Sequence, residues 1–410
     1  MKLRDYQIQL SNKAYEIISQ KKIVYLAAEV RTGKTLIALN TAMLYGAKNV
    51  LFLTKKKAIS SIINDYNAMQ YGYKLTVINN ESLHTIKEND FDFIVMDEAH
   101  RFGSFPKPSK GCKDFKFRFY NKPIMLLSGT PTPESYSQIY HQFWVSHYSP
   151  FSQYANFYKW ANIFVNKKTR YLGAFNCIDY SEAKINLIEP IIKPYMITMT
   201  QSEAGFTSSV DENILKVKMS DKTYSLINKL IKDKVITGKE EVILADTGVK
   251  ELSKVHQLYS GTIKFESGKS MVIDYSKAEF IYNKFNDKKI AIFYKFKEEY
   301  NALKQVFKDL LTDDLSEFDN SNKNIALQIV SGREGISLKN AEYLVYYNID
   351  FSATSYWQSR DRLTTMDRLN NNVYWIFAEN GIEDKIYKTV LNKKDYTLNH
   401  YKHDRATISN

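Results

Sequence analysis

Residues 22–46 decide the fold, because they read KIVYLAAEVRTGKTLIALNTAMLYG and join a strand, a tight turn and a helix. Residues 22–30 form a short apolar run with β-branched members, which is typical of a buried strand. From residue 36 onward the apolar residues have helical spacing, and Gly46 is a helix stop signal. The intervening turn contains Gly and Lys, so the segment predicts a strand–loop–helix unit that binds phosphate.

The turn AEVRTGKT at 28–35 has the composition of a triphosphate-binding loop. Its backbone N–H groups can face an anion, and the helix N-terminus behind them favours negative charge. Lys34 would supply a point charge on the β- and γ-phosphates, and Thr35 a hydroxyl for magnesium. Ala28 stands where the pattern usually has its first Gly, and an isolated GKT also occurs by chance. The flanking strand and helix favour the functional interpretation.

A second motif, DEAH at 97–100, directly follows the apolar run FDFIVM. An acidic pair at the C-terminal end of a parallel strand lies in the ligand crevice of an open α/β sheet. Asp97 would hold magnesium, and Glu98 would polarise the attacking water as a general base. The alternative is the start of an ordinary surface helix.

Two weaker signals flank these motifs. SGTPT at 128–132 follows another strand, and the hydroxyls of Ser128 and Thr130 can bridge the acidic pair to a nucleic-acid site. Within LRDYQ at 3–7, Gln7 can bond bidentately to adenine. Taken alone, SGTPT would be an ordinary turn before a proline, and Gln7 would be a surface residue of a helix.

The whole chain predicts an α/β fold. Strand-like and helical runs alternate over the first third and again from about residue 211, which indicates two parallel sheets covered by helices. We expect a first ATP-binding lobe over 1–145, a mostly helical and aromatic-rich insertion over 146–210, and a second lobe over 211–410. The insertion either packs its own rings as a bracket or offers a nucleic-acid surface.

Composition limits the class of protein. The 410 residues are 44% hydrophobic and 25% charged, which is typical of a soluble globular protein. No apolar run approaches the roughly 20 residues of a membrane span, and the start MKLRDYQIQL does not resemble a secretory leader. Cys112 and Cys177 are far apart and lack metal-ligand spacing, so we expect a reducing, cytoplasmic setting without disulfide or zinc. The net charge of +12 favours a polyanionic partner, although codon bias in an AT-rich genome also produces lysine.

The second half carries two further motifs. SGREGISL at 331–338 follows a strand, and SYWQSRDRLTTMDR at 355–368 contains Arg360, Arg362 and Arg368. A guanidinium delivered from the opposite lobe would neutralise γ-phosphate charge in the transition state, and arginine suits that role. The alternative for an Arg-rich stretch is a solvated helix face.

The motifs LRDYQ, AEVRTGKT, DEAH, SGTPTP, KVHQLYSG, SGREGISL and QSRDRLTTMDR stand in the order found in superfamily-two helicases. The chain resembles the Swi/Snf-type DNA translocases most closely. ELSKVHQLYSG at 251–261 resembles that family's linker before the second lobe, and IFYKFKEE at 292–299 its motif IV. The short chain and AT-rich composition resemble a phage or mobile-element version, which would act in a bacterial host cytoplasm.

The resemblance implies two RecA-like lobes in tandem that bind ATP and magnesium in the cleft between them and move on duplex DNA. The implied catalytic residues are Lys34, Asp97, Glu98, Arg360 and Arg362, with magnesium held by Thr35 and Asp97. The implied ATP-binding residues are Gln7, Arg31, Thr32, Gly33, Lys34, Thr35, Gly335 and Gln358. Those implied at or coupled to DNA are Thr54, Lys55, Lys56, Lys57, Ser128, Thr130, Lys295 and Ser331. A solvated loop is the alternative for the three consecutive lysines.

The chain departs from the family at its arginines. The family spaces two arginines four and seven residues after the motif VI glutamine, and here Arg362 takes the first slot while Thr365 takes the second. Either Arg360 and Arg362 act in a shifted register or Arg368 reaches the nucleotide.

The motifs leave several functions open. A strand-separating or branch-migrating helicase shares the same motor, as does the motor subunit of a restriction system. A nucleotide-switched DNA-binding or loader protein with little turnover is a further alternative, and RNA stays open as the polymer. Targeting would come from the insertion or from a partner protein of replication or recombination.

Overall fold

The computed structural model describes residues 2–87, 90–133, 135–172, 175–205, 209–238, 240–332, 336, 338–363 and 370–392. The chain divides into two compact units, Met1–Phe206 and Thr207–Asn410. Among the described residues, no helix combines the length and apolarity needed to span a bilayer.

The first unit is built on six parallel strands. Its helices and strands are α1 Asp5–Lys21, β1 Ile23–Ala28, α2 Lys34–Tyr45, β2 Asn49–Thr54, α3 Ile59–Met69, β3 Lys74–Asn79, β4 Phe93–Met96, α4 Lys110–Phe119, β5 Ile124–Ser128, α5 Ile139–Trp144, α6 Phe157–Phe164, β6 Lys168–Leu172, β7 Phe175–Asp179, α7 Ile185–Ile192 and β8 Met196–Met199. The sheet order is β3-β2-β4-β5-β1-β8, and β6 and β7 form a separate antiparallel hairpin.

The central strands follow directly from their sequence. Every residue of β2, β4 and β5 is buried, as expected for near-continuous apolar runs covered on both faces. The runs at 49–54 and 74–79 coincide with β2 and β3. Because all six strands are parallel, their C-terminal ends meet at one edge of the sheet, which we call the nucleotide edge.

The aromatic-rich segment after residue 145 packs within the first unit. It contains the helices α6 and α7, the β6–β7 hairpin and the edge strand β8, whose Met196 pairs with Tyr25 of β1. Its rings contact one another: the centroids of Trp160 and Phe164 are 5.2 Å apart, and those of Phe151 and Trp160 are 5.6 Å apart. Trp160 also packs against Tyr140 of α5, at 5.2 Å. Aromatic burial accounts for this composition, as the ring-packing interpretation expected.

The second unit repeats the parallel-sheet architecture. Its helices and strands are β9 Ser209–Val217, α8 Asp221–Asp233, β10 Val235–Thr237, β11 Val242–Leu244, α9 Gly248–Tyr259, β12 Thr262–Lys264, β13 Ser270–Val272, α10 Ser276–Lys284, β14 Ile290–Tyr294, α11 Lys297–Phe307, β15 Leu311–Thr312, α12 Leu315–Asn320, β16 Asn324–Gln328, α13 Ile329–Gly332, β17 Tyr343–Tyr346, α14 Ala353–Arg360, β18 Asn370–Ala378 and α15 Glu383–Leu391. The parallel sheet has the order β15-β16-β14-β17-β18-β9. Two helix-covered parallel sheets confirm the predicted fold of two RecA-like lobes.

Candidate functional site

The predicted phosphate loop connects the end of β1 to the first turn of α2. Arg31 and Gly33 both adopt left-handed backbone conformations, with φ of 66° and 79°. Gly33 is the N-cap of α2, so no side chain caps the first-turn N–H groups. These groups and the helix dipole together make an anion site. Thr32 is fully buried, and its hydroxyl donates to the Glu29 carbonyl at 2.8 Å, which tightens the turn.

Lys34 begins α2 and extends its side chain back over the loop. Its Nζ donates to the carbonyls of Ala28 at 2.9 Å and of Glu29 at 3.0 Å. Gly129, which follows β5, lies beside the same amine, because a Cβ built there would be 3.7 Å from Nζ. Thr35 follows in the same helical turn and is half-buried. The loop therefore holds one ammonium and one hydroxyl at the nucleotide edge.

The acidic pair lies at the end of β4, on the same edge. Asp97 accepts hydrogen bonds from the Thr54 hydroxyl at 2.8 Å and from the Glu98 N–H at 3.0 Å. Burial and, after it, the charge of Glu98 raise the pKa of Asp97 from 3.8 to about 6. The hydrogen bond from Thr54 and the charges of Lys34 and Lys55 act in the opposite direction.

The raised pKa of Asp97 bears on whether the acidic pair suits a magnesium ion bound with a nucleotide. Two half-buried carboxylates, Asp97 and Glu98, lie side by side, and the cationic side chains around them do not fully offset their charge. A divalent cation bound to Asp97 would supply that compensation, and carboxylate and hydroxyl oxygens are ligands that magnesium accepts. The donor set of Asp97 and Thr35 therefore fits the predicted ion.

A chain of side chains connects Glu98 to the SGTPT motif. Glu98 has a left-handed backbone conformation with φ of 55°, and its Oε2 lies 3.2 Å from His100 Nδ1. The same Nδ1 lies 3.0 Å from Ser128 Oγ, and that hydroxyl accepts the Thr130 N–H at 3.1 Å. The structure thus brings Ser128 and Thr130 to the acidic pair, with His100 between them. This histidine is part of DEAH, but the motif alone did not indicate a role for it.

The N-terminal helix contacts the phosphate loop. Gln7 is 4% exposed, and its Oε1 accepts the Arg4 N–H at 3.0 Å at the start of α1. The Gln7 Nε2 lies close enough to Gly33 that an added Cβ would meet it at 2.2 Å. The hydroxyl of Tyr6 donates to the Thr32 carbonyl at 3.2 Å. Gln7 is therefore next to the loop, as its predicted role requires.

Sequence reasoning missed a second support of the loop. Gln201, two residues beyond β8, donates its N–H to Glu29 Oε2 at 2.7 Å and its Nε2 to the Val30 carbonyl at 3.0 Å. The Glu29 N–H in turn donates to the Met199 carbonyl at 2.9 Å. The only signal in the sequence was the short run MITM at 196–199, which has too few residues to show a period.

The three consecutive lysines follow β2 at the nucleotide edge. Lys55 is half-buried and close enough to Asp97 to lower the pKa of that carboxyl, whereas Lys56 and Lys57 are exposed. Thr54, predicted to contact DNA, is fully buried and donates to Asp97.

In the second unit, the predicted site residues have partners of their own. The Arg360 guanidinium donates to Glu212 Oε1 at 3.0 Å and lies 4.6 Å from the Trp357 ring centroid. Glu212 also accepts from Trp375 Nε1 at 2.8 Å and from the Tyr387 hydroxyl at 3.0 Å. Arg360 thus belongs to a polar cluster that joins β9, α14, β18 and α15.

Arg362 and Lys295 have different surroundings. Arg362 is 8% exposed, and its Nη1 donates to the Ile336 carbonyl at 3.3 Å. It therefore contacts the SGREGISL motif at Ile336. The Lys295 ammonium pairs with Asp350 at 2.9 Å and lies 3.7 Å from the Phe351 ring centroid. Gly335, Arg368 and the side chains of Gln358 and Ser331 lie outside the described residues.

Comparison with known proteins relates the chain to one family. The profile of the SNF2-related domain matches residues 22–265, which is more than half of the chain. No curated protein matches the chain at a significant level.

Two solved structures from Sulfolobus solfataricus are similar over most of the length. One is the SWI2/SNF2 ATPase core in complex with double-stranded DNA, at 15% identity and a TM-score of 0.44, covering 96% of this chain and 91% of that chain. The other is the SWI2/SNF2 ATPase core domain, at 15% identity and a TM-score of 0.42, covering 96% of this chain and 89% of that chain.

Proposed function

Since the chain belongs to the SNF2-related domain family of nucleic-acid-dependent ATPases, we propose that it hydrolyses ATP to translocate on duplex DNA. The observation that carries the proposal is the half-buried Asp97–Glu98 pair, which lies at the same sheet edge as the Lys34 loop. Phosphoryl transfer needs an ammonium, backbone N–H groups that face the phosphates, and two carboxylates, and this edge of the sheet carries all three.

In this proposal, each site residue of the first unit has one role in ATP binding or hydrolysis. Lys34 and the N–H groups of the loop bind the triphosphate, and Gln7 recognises the adenine. Thr35 and Asp97 would hold magnesium, which when bound neutralises charge on the phosphates. Glu98 accepts the proton of the attacking water as general base. The positive charge of Lys34 stabilises the negative charge that develops on the γ-phosphate.

The second unit completes the site in this proposal, with Arg362 as its arginine. Arg362 occupies the family's first arginine slot and touches the SGREGISL motif through the Ile336 carbonyl. Arg360 is better explained as a structural residue, because Glu212 and Trp357 already hold its guanidinium. In this proposal Arg362 supplies the positive charge that neutralises the γ-phosphate in the transition state.

Coupling to DNA would run through the His100–Ser128 contact. Loss of the γ-phosphate changes the charge next to Glu98, and Glu98 contacts His100 at 3.2 Å. His100 passes the change to Ser128 and Thr130, while Lys55, Lys56 and Lys57 hold phosphates of the tracked strand. Because these lysines meet the backbone rather than base edges, movement would be independent of sequence.

The proposal extends to the setting in which the motor works. A partner protein of replication or recombination would direct it to its DNA, and a bacterial host cytoplasm would be its compartment. Co-purification from that host would identify such a partner.

Steady-state hydrolysis tests the proposal. The rate is measured with no nucleic acid, single-stranded DNA, duplex DNA and duplex RNA, for the wild type, Lys34→Ala and Glu98→Gln. We expect stimulation by duplex DNA, loss of turnover in both variants, and retained ATP binding in Glu98→Gln. Wild-type turnover in Lys34→Ala would refute the site, and stimulation by single strands alone would indicate an unwinding helicase.

A nucleotide-switched DNA-binding protein is the second candidate. It is favoured by the Arg360–Glu212 contact together with Thr365 in the second arginine slot, because both features reduce the arginines available for catalysis. Phosphate release over time separates the two: one burst per chain indicates a switch, and a linear phase indicates a motor.

A further inference from the structure

A buried chain of hydrogen bonds continues from Ser128 into the core of the first unit. Tyr25 lies in β1, and its hydroxyl donates to Oε1 of Gln142 in α5 at 2.6 Å. Burial raises the pKa of Tyr25 and keeps its hydroxyl protonated, while a hydrogen bond with Ser128 lowers this pKa and the charge of Glu98 raises it. Tyr25, Ser128 and Gln142 are each fully buried. The chain therefore connects α5 to the surroundings of the acidic pair through the interior of the protein.

The amide of Gln142 has a single possible orientation. Its Nε2 faces two backbone carbonyls, that of Pro131 at 2.7 Å and that of Gln138 at 3.0 Å. A carbonyl oxygen only accepts hydrogen bonds, so the NH2 group must point toward both of them. The amide oxygen then faces Tyr25, and it too can only accept. The hydroxyl proton of Tyr25 must therefore be donated to Gln142.

The direction of this bond fixes the direction of the next one. Because the Tyr25 hydroxyl has donated its only proton, it can bond to Ser128 only as an acceptor. Ser128 must therefore donate its own proton to Tyr25. The lone pairs of Ser128 Oγ remain for the Thr130 N–H at 3.1 Å and for His100 Nδ1 at 3.0 Å. A hydroxyl without a proton to give can bond to Nδ1 only if that nitrogen carries a proton.

The position of Glu98 favours the same tautomer of His100. Glu98 Oε2 lies 3.2 Å from His100 Nδ1. A proton on Nδ1 presents positive charge to the carboxylate, whereas a bare nitrogen would present a lone pair and repel it. The tautomer of a histidine is set by the partners of its two ring nitrogens. Both Ser128 and Glu98 therefore require the proton of His100 to be on Nδ1.

We propose that Tyr25 and Gln142 are positioning residues for the coupling of DNA binding to hydrolysis. They keep the proton of His100 on Nδ1, where it faces the Glu98 carboxylate. Both residues act through Ser128 and His100 rather than on the reacting atoms. The inference rests on the proposed function and deepens it, because it identifies what controls the coupling contact.

The chain also ties the SGTPT loop to this proton. Ser128 begins the loop, and the Pro131 carbonyl within it holds the amide of Gln142. Movement of that carbonyl away from Gln142 would free the amide to turn its NH2 group toward Tyr25. Tyr25 would then donate to Ser128, Ser128 would donate to His100, and a bare Nδ1 would face the general base. The position of the loop thus determines which group His100 presents to the carboxylate.

Nitrogen NMR of the histidine ring tests this assignment directly. The whole chain is labelled with ¹⁵N-histidine, and the His100 signals among the seven histidines are those that disappear in His100→Gln. Spectra are recorded at about pH 8, where an ordinary imidazole is neutral. We expect the chemical shift of a protonated nitrogen at Nδ1 and that of a bare nitrogen at Nε2. The opposite pattern in the wild type would overturn the proposal.

Two substitutions should move the proton. Gln142→Met keeps a side chain of similar length but removes the acceptor of Tyr25, whose proton is then free for Ser128. Ser128 can in turn donate to His100, so we expect the proton of His100 on Nε2. Tyr25→Phe removes the central hydroxyl, and we expect a mixture of both tautomers. An unchanged Nδ1 signal in both variants would overturn the proposal.

DNA-stimulated hydrolysis gives a second measurement. We expect Tyr25→Phe to lower the ratio of the duplex-stimulated rate to the basal rate about fivefold, through kcat rather than the KM for ATP. The basal rate should stay within about twofold of the wild type. Equal losses in the basal and stimulated rates would overturn the proposal.

Tyr73→Phe is the matched control. Tyr73 is also a buried tyrosine of the first unit, and its hydroxyl donates to the Leu39 carbonyl at 3.0 Å. This variant loses one buried hydroxyl hydrogen bond, as Tyr25→Phe does, but the stimulation by DNA should be unchanged. An equal fall in stimulation in the control would mean that lost stability accounts for the effect, and it would overturn the proposal.

The tautomer measurement separates this inference from the proposed function, because it needs neither DNA nor nucleotide. If no nucleic acid stimulated the wild type while the tautomer changed as expected, the coupling to DNA would fail and the control of the His100 proton would stand. If duplex DNA stimulated hydrolysis while the tautomer stayed the same in both variants, the motor would stand and the role of Tyr25 and Gln142 would fail.

Discussion

Replacing Asp97 by asparagine should stabilise the first unit at neutral pH while abolishing hydrolysis. The two side chains have nearly the same shape, so the packing at the end of β4 is conserved. The introduced amide can accept the Glu98 N–H through its oxygen and donate its N–H to the Thr54 hydroxyl, which rotates to accept. Both hydrogen bonds of the native carboxylate therefore survive.

The magnitude follows from the pKa of Asp97, which burial and the charge of Glu98 raise from 3.8 to about 6. At about 1.4 kcal/mol per pKa unit, keeping this carboxylate ionised in the folded state costs about 3 kcal/mol. The folded protein binds the proton more tightly than the unfolded chain. The stability that protonated Asp97 contributes is therefore fully present below about pH 4 and is lost as the pH rises through about 6.

The assay is urea unfolding without magnesium or nucleotide, at several pH values between about 4 and 8. Hydrogen exchange of peptides from β2 and β4 reports the first unit separately from the second. The variant and the wild type should be equally stable near pH 4, where both side chains are neutral. The difference should grow to about 3 kcal/mol by about pH 7.5.

A difference that stays constant over this pH range would refute the reasoning, as would an Asp97→Asn variant that is less stable than the wild type at neutral pH. Glu98→Gln provides an internal check. Because the charge of Glu98 is the second cause of the raised pKa, its removal should reduce the pH dependence without abolishing it.

Three further outcomes follow from the site. Gly33→Ala places a Cβ at a φ of 79° and 2.2 Å from Gln7 Nε2, so it should weaken ATP binding by about 2 kcal/mol, roughly 30-fold, in a fluorescent-nucleotide titration. His100→Ala should lower DNA-stimulated hydrolysis about tenfold, while basal hydrolysis stays within about twofold of the wild-type rate. The reason is that His100 lies between Glu98 and Ser128 and not on the nucleotide. Equal losses in both rates would contradict the coupling role. Arg360→Ala should destabilise the second unit by about 2 kcal/mol in urea unfolding, because the substitution removes the cation that pairs with the partly buried Glu212. Loss of turnover with unchanged stability would instead make Arg360 a catalytic arginine.

The local parts of the fold could be predicted from the sequence. The β2 and β3 runs coincide with the observed strands because short stretches rich in apolar and β-branched residues, bounded by turn residues, favour a strand. The phosphate loop is equally local, since a glycine with positive φ must precede a helix N-terminus at that point. The same holds for the acidic pair, which needs only to follow a buried parallel strand.

Contacts between distant segments could not be predicted in the same way. Gln201 reaches Glu29 only because β8 joins the sheet beside β1, and a four-residue strand carries no readable period. The hydrogen bond from Arg360 to Glu212 depends on the pairing of β18 with β9. His100 meets Ser128 because β4 and β5 are neighbours in the sheet.

The sequence by itself determined the α/β class, the two parallel sheets and the positions of the glycine-containing loop and the acidic pair after their strands, because backbone dihedrals and apolar periodicity act over a few residues. The tertiary structure alone decided the pKa of Asp97 and the hydrogen-bond partners of the site residues. The pKa of Asp97 is raised because the strand order places this side chain out of solvent, beside Glu98 and opposite Thr54 of β2. Electrostatic energy depends on distance and burial in space, and neither can be read from position along the chain.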